Sequence, residues 1–152
     1  MSTGPVTRPR TRRDPGDLNT ITVAEVMNPG IVSCSQTASA TEIARVMASC
    51  RVHCVAVIGL SHDSDPQPRI WGIVSDLDVL RSVTDPASPA TAQELAQQPV
   101  ITVRPETTIY EAVEAMVRYG AHHIVVADPE LHTPLGILST LDVAEILGQG
   151  KP

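Results

Sequence analysis

The sequence contains no phenylalanine, one tryptophan and two tyrosines, and aromatics make up only 2 % of it. Any core must therefore be filled by Val, Ile, Leu, Ala and Met, and a row of rings on which single-stranded nucleic-acid bases stack is excluded. Cations are in the minority, with 11 Lys and Arg against 17 Asp and Glu, for a formal net charge of -6. That is the wrong sign for coating nucleic acid or an anionic membrane, so an anionic ligand has to be held by locally placed donors. No apolar run is long enough to cross a membrane and no signal peptide is expected. The three cysteines, Cys34, Cys50 and Cys54, are an odd number and read as free thiols in a reducing cytoplasm. Cys50 and Cys54 flank His53 but have no second pair at finger-like spacing, so no metal site is expected. The parts that catalysis requires are also missing: there is no Gly-rich P-loop, nucleophile elbow or His-Glu-x-x-His. A non-catalytic protein is expected.

Of the 152 residues, 42 % are hydrophobic, enough for one continuous core. Residues 1–19 are rich in Pro, Gly, Thr and Arg without apolar periodicity and read as a flexible basic tail. From Thr22 onward the chain repeats itself. Thr22 to Glu25 recurs as Thr91 to Glu94, Ile31-Val-Ser33 as Val100-Ile-Thr102, and Ser39 to Glu42 as Thr108 to Glu111, each displaced by 69 positions. The Ser/Thr-x-x-Glu spacing is that of a capping box, which opens a helix. The helices continue with one apolar stripe each, Ala40, Ile43, Ala44, Met47 and Ala48 in the first half and Ile109, Ala112, Val113, Met116 and Val117 in the second. Val55 to Ile58 and Ile124 to Ala127 then read as β-branched strands at the same offset.

Beyond these strands the offset falls to 64, because the loop Gly59 to Arg69 is longer than its counterpart Asp128 to Thr133. Ile70 to Ser75 matches Pro134 to Ser139, and each leads into a last helix. The expected fold is mixed α/β, two repeats of helix-strand-helix-strand-strand-helix (20–85 and 91–148) joined by a Pro-rich linker, 86–90. A unit of about 60 residues is marginal alone. The two repeats should therefore pack with pseudo-twofold symmetry and leave two related clefts between them.

Each half ends its last strand with Gly-hydrophobic-x-Ser-x-x-Asp, complete in both copies as Gly72-Ile-Val-Ser75-Asp-Leu-Asp78 and Gly136-Ile-Leu-Ser139-Thr-Leu-Asp142. A single Ser-x-x-Asp is often only a helix cap. Two copies at the same place suit a nucleotide: the helix N-terminus and the Ser hydroxyl offer donors to phosphate, and the carboxylate accepts from ribose hydroxyls. With the repeated order of elements, this motif makes residues 22 to about 147 resemble the tandem CBS (cystathionine-beta-synthase) domains, or Bateman modules.

The resemblance implies that Asp78 and Asp142 hold the ribose of an adenine nucleotide or related adenosyl ligand and that Ser75 and Ser139 face its phosphate or ribose. It places a basic pair at His53-Cys54 and His122-His123, although the Arg that commonly follows the His is absent from both. Binding through His53 and His122 should weaken as pH rises through neutrality, since a free imidazole titrates near ~6.5. Either His reads equally as a strand-edge residue bonded to the backbone. Ile31, Val32, Ser33, Val100, Ile101 and Thr102 are candidates for the adenine wall, or ordinary core. The resemblance further implies a regulatory ligand sensor for AMP, ADP or ATP with no resident cofactor, Mg2+ entering only alongside ATP. It also implies a homodimer, paired through Leu77, Leu80, Val83, Leu141, Ile146 and Leu147 unless these complete the chain's own core, and an unidentified regulated protein. The alternative is a dimerisation or partner-docking module whose clefts hold no ligand.

Overall fold

Six Ser/Thr-x-x-Glu or Ser-x-x-Asp boxes organise the computed structural model, which describes residues 18–85, 87, 91–96, 99–130 and 133–149. The basic tail up to residue 17 and most of the linker lie outside the described residues; Leu18 packs on the core of the second half. In each box the acidic side chain accepts from the backbone N–H of the residue that opens the helix, as from Ser39 to Glu42 at 2.6 Å and from Thr108 to Glu111 at 3.0 Å. These contacts lower the pKa of Glu25, Glu42 and Glu111, with the backbone hydrogen bond as the largest cause.

The first half runs α1 (Val23–Val26), β1 (Asn28–Pro29), β2 (Ser33–Ser35), α2 (Ala40–Cys50), β3 (Cys54–Leu60), β4 (Pro68–Ser75) and α3 (Asp76–Thr84). The second runs α4 (Ala92–Leu95), β5 (Thr102–Val103), α5 (Ile109–Tyr119), β6 (His123–Asp128), β7 (Thr133–Ser139) and α6 (Thr140–Gln149). One sheet has the order β2-β3-β4 and the other β1-β7-β6-β5. In each, a parallel pair (β2 with β3, β5 with β6) joins an antiparallel hairpin (β3 with β4, β6 with β7). A register shift falls after Val57 in one hairpin and after Val126 in the other, so the repeat extends to its irregularities.

The halves are tied together by exchange of their opening helices. Val23 of α1 is fully buried in the core of the second half with Ile109, Ala112, Met116, Ile124 and Leu138. Ala92 and Leu95 of α4 are buried in the core of the first half with Ile43, Met47, Val55, Val57 and Val74. The backbone follows: Val23 N donates to Thr107 O at 2.7 Å, and Ala92 N donates to Ala38 O at 2.7 Å. Next to α1, β1 pairs antiparallel with β7, Asn28 opposite Ile137 and Pro29 opposite Gly136. An added Cβ on Gly136 would run into the Asn28 carbonyl and come within 2.9 Å of Met27 Sδ.

Helices α2 and α5 end in the left-handed conformation at equivalent positions, Arg51 with φ 52° and Gly120 with φ 61°. Glycine adopts this geometry without the Cβ clash that arginine carries. Replacing Arg51 by glycine, as the second repeat has it, is expected to stabilise the protein by about 0.5–1 kcal/mol, measured by urea unfolding. Gly136→Ala is expected to cost about 1–3 kcal/mol by forcing β1 away from β7, read in the same way.

Candidate functional site

Each Ser-x-x-Asp motif lies where the last strand of a repeat turns into its last helix. In the first, Asp78 Oδ2 accepts from Ser75 N at 2.8 Å and Ser75 Oγ at 2.7 Å, while Asp78 N donates to Ser75 Oγ at 3.3 Å. The guanidinium of Arg81 is 3.5 Å from the other carboxylate oxygen. Asp78 is a buried charged side chain at 5 % relative exposure. In the second, Ser139 N and Oγ donate to Asp142 Oδ2 at 2.7 and 2.8 Å, and the amide of Asn28 donates to Oδ1 and Oδ2 at 3.1 and 3.2 Å. Both Ser hydroxyl protons point at their own Asp. A ligand that draws on the hydroxyl as donor has to exchange with that bond.

The structure brings Ser75 and Asp78 of the first repeat together with Ile101 and His122 of the second, in a cleft of about 70 Å³ completed by Ile73, Pro99, Val100, Ala121 and His123. The site is therefore built across the repeat boundary. Val100 also lines an adjoining cavity of about 390 Å³, with Thr102, Val103, Val125, Ala127, Arg69 and Arg104. Ser139 and Asp142 form the equivalent pair at the other end of the pseudo-dyad. His53 contacts a residue of the first motif: its Nδ1 is 3.0 Å from Asp76 Oδ2, and both residues line a 560 Å³ groove with Met47, Arg51, Val79 and Leu80. Ile31 is half-buried, and Ser33 is exposed and paired with Ala56. Val32 O accepts from Ala56 N at 2.9 Å, as Ile101 O accepts from Val125 N at 3.0 Å.

Sequence reading did not point to Asn28 or Asp76. Asn28 lies just beyond Met27, the residue that ends α1, and only the pairing of β1 with β7 carries it to Asp142. Asp76 differs from its counterpart Thr140, and that difference inside the repeat was the available signal. Leu77, Leu80, Val83, Leu141 and Leu147 are exposed large hydrophobics, whereas Ile146 packs on the core of the second half. Cys54 is buried, Cys34 half-buried and Cys50 exposed, all as free thiols. Among the described residues, no group of three or more His, Cys, Asp or Glu is arranged to hold a metal ion, and no helix is long and apolar enough to cross a membrane.

The site's electrostatics centre on the pseudo-dyad. Burial lowers the pKa of His123 most; Asp76 opposes it as the next largest influence, His122 and His53 lower it further, and Asp142 opposes it least. The hydrogen bond from His53 lowers that of Asp76, reinforced by the Leu77 N–H and the nearby imidazoles and opposed by burial. Burial, then Asp76 and Asp142, push the Cys54 thiol up to about 11.

Two sheet-and-helix repeats locked by exchanged helices, with a small polar cleft across the join, define a paired-domain module. The chain matches the CBS domain family at residues 23–85 and 92–149, and it belongs to that family. It is 28% identical over 132 residues to the uncharacterized protein MK0525 of Methanopyrus kandleri, spanning 85% of this chain and 64% of that protein. The CBS domain pair of MJ0100, solved in complex with 5'-methylthioadenosine and S-adenosyl-L-methionine, superposes with a TM-score of 0.72 at 17% identity, covering 86% of this chain and 98% of that one. CBSX2 in complex with AMP does so with a TM-score of 0.66 at 19% identity, covering 87% and 99%.

His123 makes stability depend on pH. Its folded pKa lies below the ordinary 6.5. The unfolded chain therefore binds the extra proton first as pH falls, and the stability this His contributes above pH 6.5 is lost as pH drops through the folded value. The melting temperature is expected to fall between pH 7 and pH 5, and His123→Gln to flatten that part of the profile, as followed by circular dichroism.

Proposed function

We propose that this protein is a regulatory sensor that binds an adenine nucleotide or related adenosyl ligand between its two repeats and does no chemistry of its own. The observation that carries the reading is Asp78, a carboxylate buried to 5 % exposure at the start of α3, next to Ser75 and facing His122 from the other repeat. Asp78 already accepts from Ser75 and lies beside Arg81, which keeps it oriented, and a carboxylate with two oxygens has acceptor capacity that ribose hydroxyls can share. The N–H groups of Asp76, Leu77 and Asp78 are engaged by His53 O, Asp76 Oδ1 and Ser75 Oγ, so a phosphate beside Asp78 is favoured by the positive end of α3 and by the ring donors of His122 and His123. Apolar strand residues and the adjoining 390 Å³ cavity suit a flat base. The bound adenosine compounds in MJ0100 and CBSX2 support the same ligand class.

Because the cleft takes one wall from each repeat, a ligand that bridges them alters their relative placement and shifts the population of arrangements it binds unequally. The exposed apolar residues of α3 and α6 support a homodimer, through which such a shift reaches a regulated protein. The cytoplasm is the proposed location, in keeping with three free thiols.

Isothermal titration calorimetry against AMP, ADP, ATP and S-adenosylmethionine tests the reading. Saturable micromolar binding is expected, with Asp78→Ala weakening AMP at least tenfold. Loss of its capping-box contact should lower the stability of the ligand-free variant by only about 1 kcal/mol. Absence of heat from every compound, with an unchanged melting temperature, would instead favour a docking module with empty clefts.

A further inference from the structure

Among the described residues, eight of the nine exposed large hydrophobics lie on α3, α5 and α6, and none lies on α2. Apolar surface gathered on helices in this way marks an interface, and its uneven distribution makes the two halves unlike. The helices stand in two packed pairs, α2 with α3 and α5 with α6. Asp76 and Asp142, in the first turns of α3 and α6, both act on Cys54, so the two pairs start side by side at the pseudo-dyad.

Counterparts on the two pairs differ in size. Ala44 and Ala48 of α2 line the 560 Å³ groove against α3. At the offset of 69 they correspond to Val113 and Val117 of α5, and Val117 stands 78% exposed. Leu80, 61% exposed on the α3 side of the groove, corresponds at the offset of 64 to Ala144 of α6. Where one pair is hollow the other is raised.

The charges are opposed in the same manner. Arg45, exposed on α2 and three residues from Ala48, corresponds to Glu114, exposed on α5 and three residues from Val117. Arg81 of α3 corresponds to Glu145 of α6, both exposed. Asp76 and Arg118 have the uncharged counterparts Thr140 and Ser49. Apart from the carboxylates of the capping boxes, no charge on these four helices has a counterpart of its own sign.

We propose that two copies of this chain associate head to tail, each setting α2 and α3 against α5 and α6 of the other. This rests on the homodimer proposed above and adds which half meets which. A twofold dimer of this kind makes one contact between unlike halves twice. Val117 of each copy enters the groove of the other, and Arg45 and Arg81 approach Glu114 and Glu145 across the interface. Head-to-head pairing would set groove against groove and Val117 against Val117, and would bring Arg to Arg and Glu to Glu.

Sedimentation velocity over a dilution series, at low and high salt, tests the arrangement. The dimer should weaken as salt rises, because opposite charges across the interface are screened, whereas head-to-head pairing predicts the reverse. Arg45→Glu and Glu114→Arg should each raise the dissociation constant about tenfold, since every altered contact occurs twice, and the double variant should recover most of the loss. Glu145→Gln should also weaken the dimer, where relief of Glu-Glu repulsion would tighten it. A dimer that strengthens with salt, that tightens in Glu145→Gln or that ignores the single reversals overturns the head-to-tail arrangement and leaves the homodimer standing. A monomer at every concentration overturns both, and calorimetry of that monomer with AMP then decides separately whether the ligand sensor stands.

Discussion

Val23 is buried among residues of the other half of the chain, and that displacement holds the molecule together. A sheet of three short strands with two helices on one face cannot cover its own apolar surface, and at about 60 residues a repeat alone lies at the margin of stability. Exchanging α1 for α4 closes both cores at once. It makes the halves mutually dependent, because separating them uncovers Val23, Ala92 and Leu95 together. Fully burying one aliphatic side chain contributes about 1.5–3 kcal/mol, so the exchange is comparable with much of a small domain's net stability.

The same exchange creates the site. Once α1 and α4 have crossed, the segment after each runs along the neighbouring repeat: residues 99–101 lie against Ser75 and Asp78, and residues 28–30 lie along β7 next to Asp142. Neither cleft belongs to one repeat. Whatever binds there touches both halves, which gives a binding event a mechanical consequence without a hinge or a lid. The cost of the arrangement falls on Gly136, where β1 comes too close to β7 for any side chain.

Symmetry of the backbone and asymmetry of the side chains are separate properties here. Capping boxes, helix stops and hairpin irregularities recur at fixed offsets, because each serves folding and both halves need it. Asp78 with Asp142 and His53 with His122 recur as well, but several other charges around the pseudo-dyad do not. A difference between counterparts in a repeat that otherwise keeps its local chemistry is where specialisation shows, and Asp76 with Thr140, Arg81 with Glu145, and Cys54 with His123 are such differences.

Much of the fold was legible in the sequence because it is specified locally. Ser39 with Glu42 and Thr108 with Glu111 announce their helices by hydrogen bonds three residues apart, and the apolar stripes of α2 and α5 follow from helical periodicity. The offset of 69 then aligned the halves, and the Ser-x-x-Asp motifs marked the ends of the last strands. Tertiary structure alone decided which side chains meet. It joined Asp78 to His122 across the repeat boundary, carried Asn28 to Asp142 over a separation of 114 residues, and turned His53 toward Asp76. Local hydrogen bonds and periodicity act within a few residues and can be read from one stretch of chain. The partners of Asp142 and His53 depend on how the chain crosses itself, which is settled only when two incomplete cores close around each other's helices.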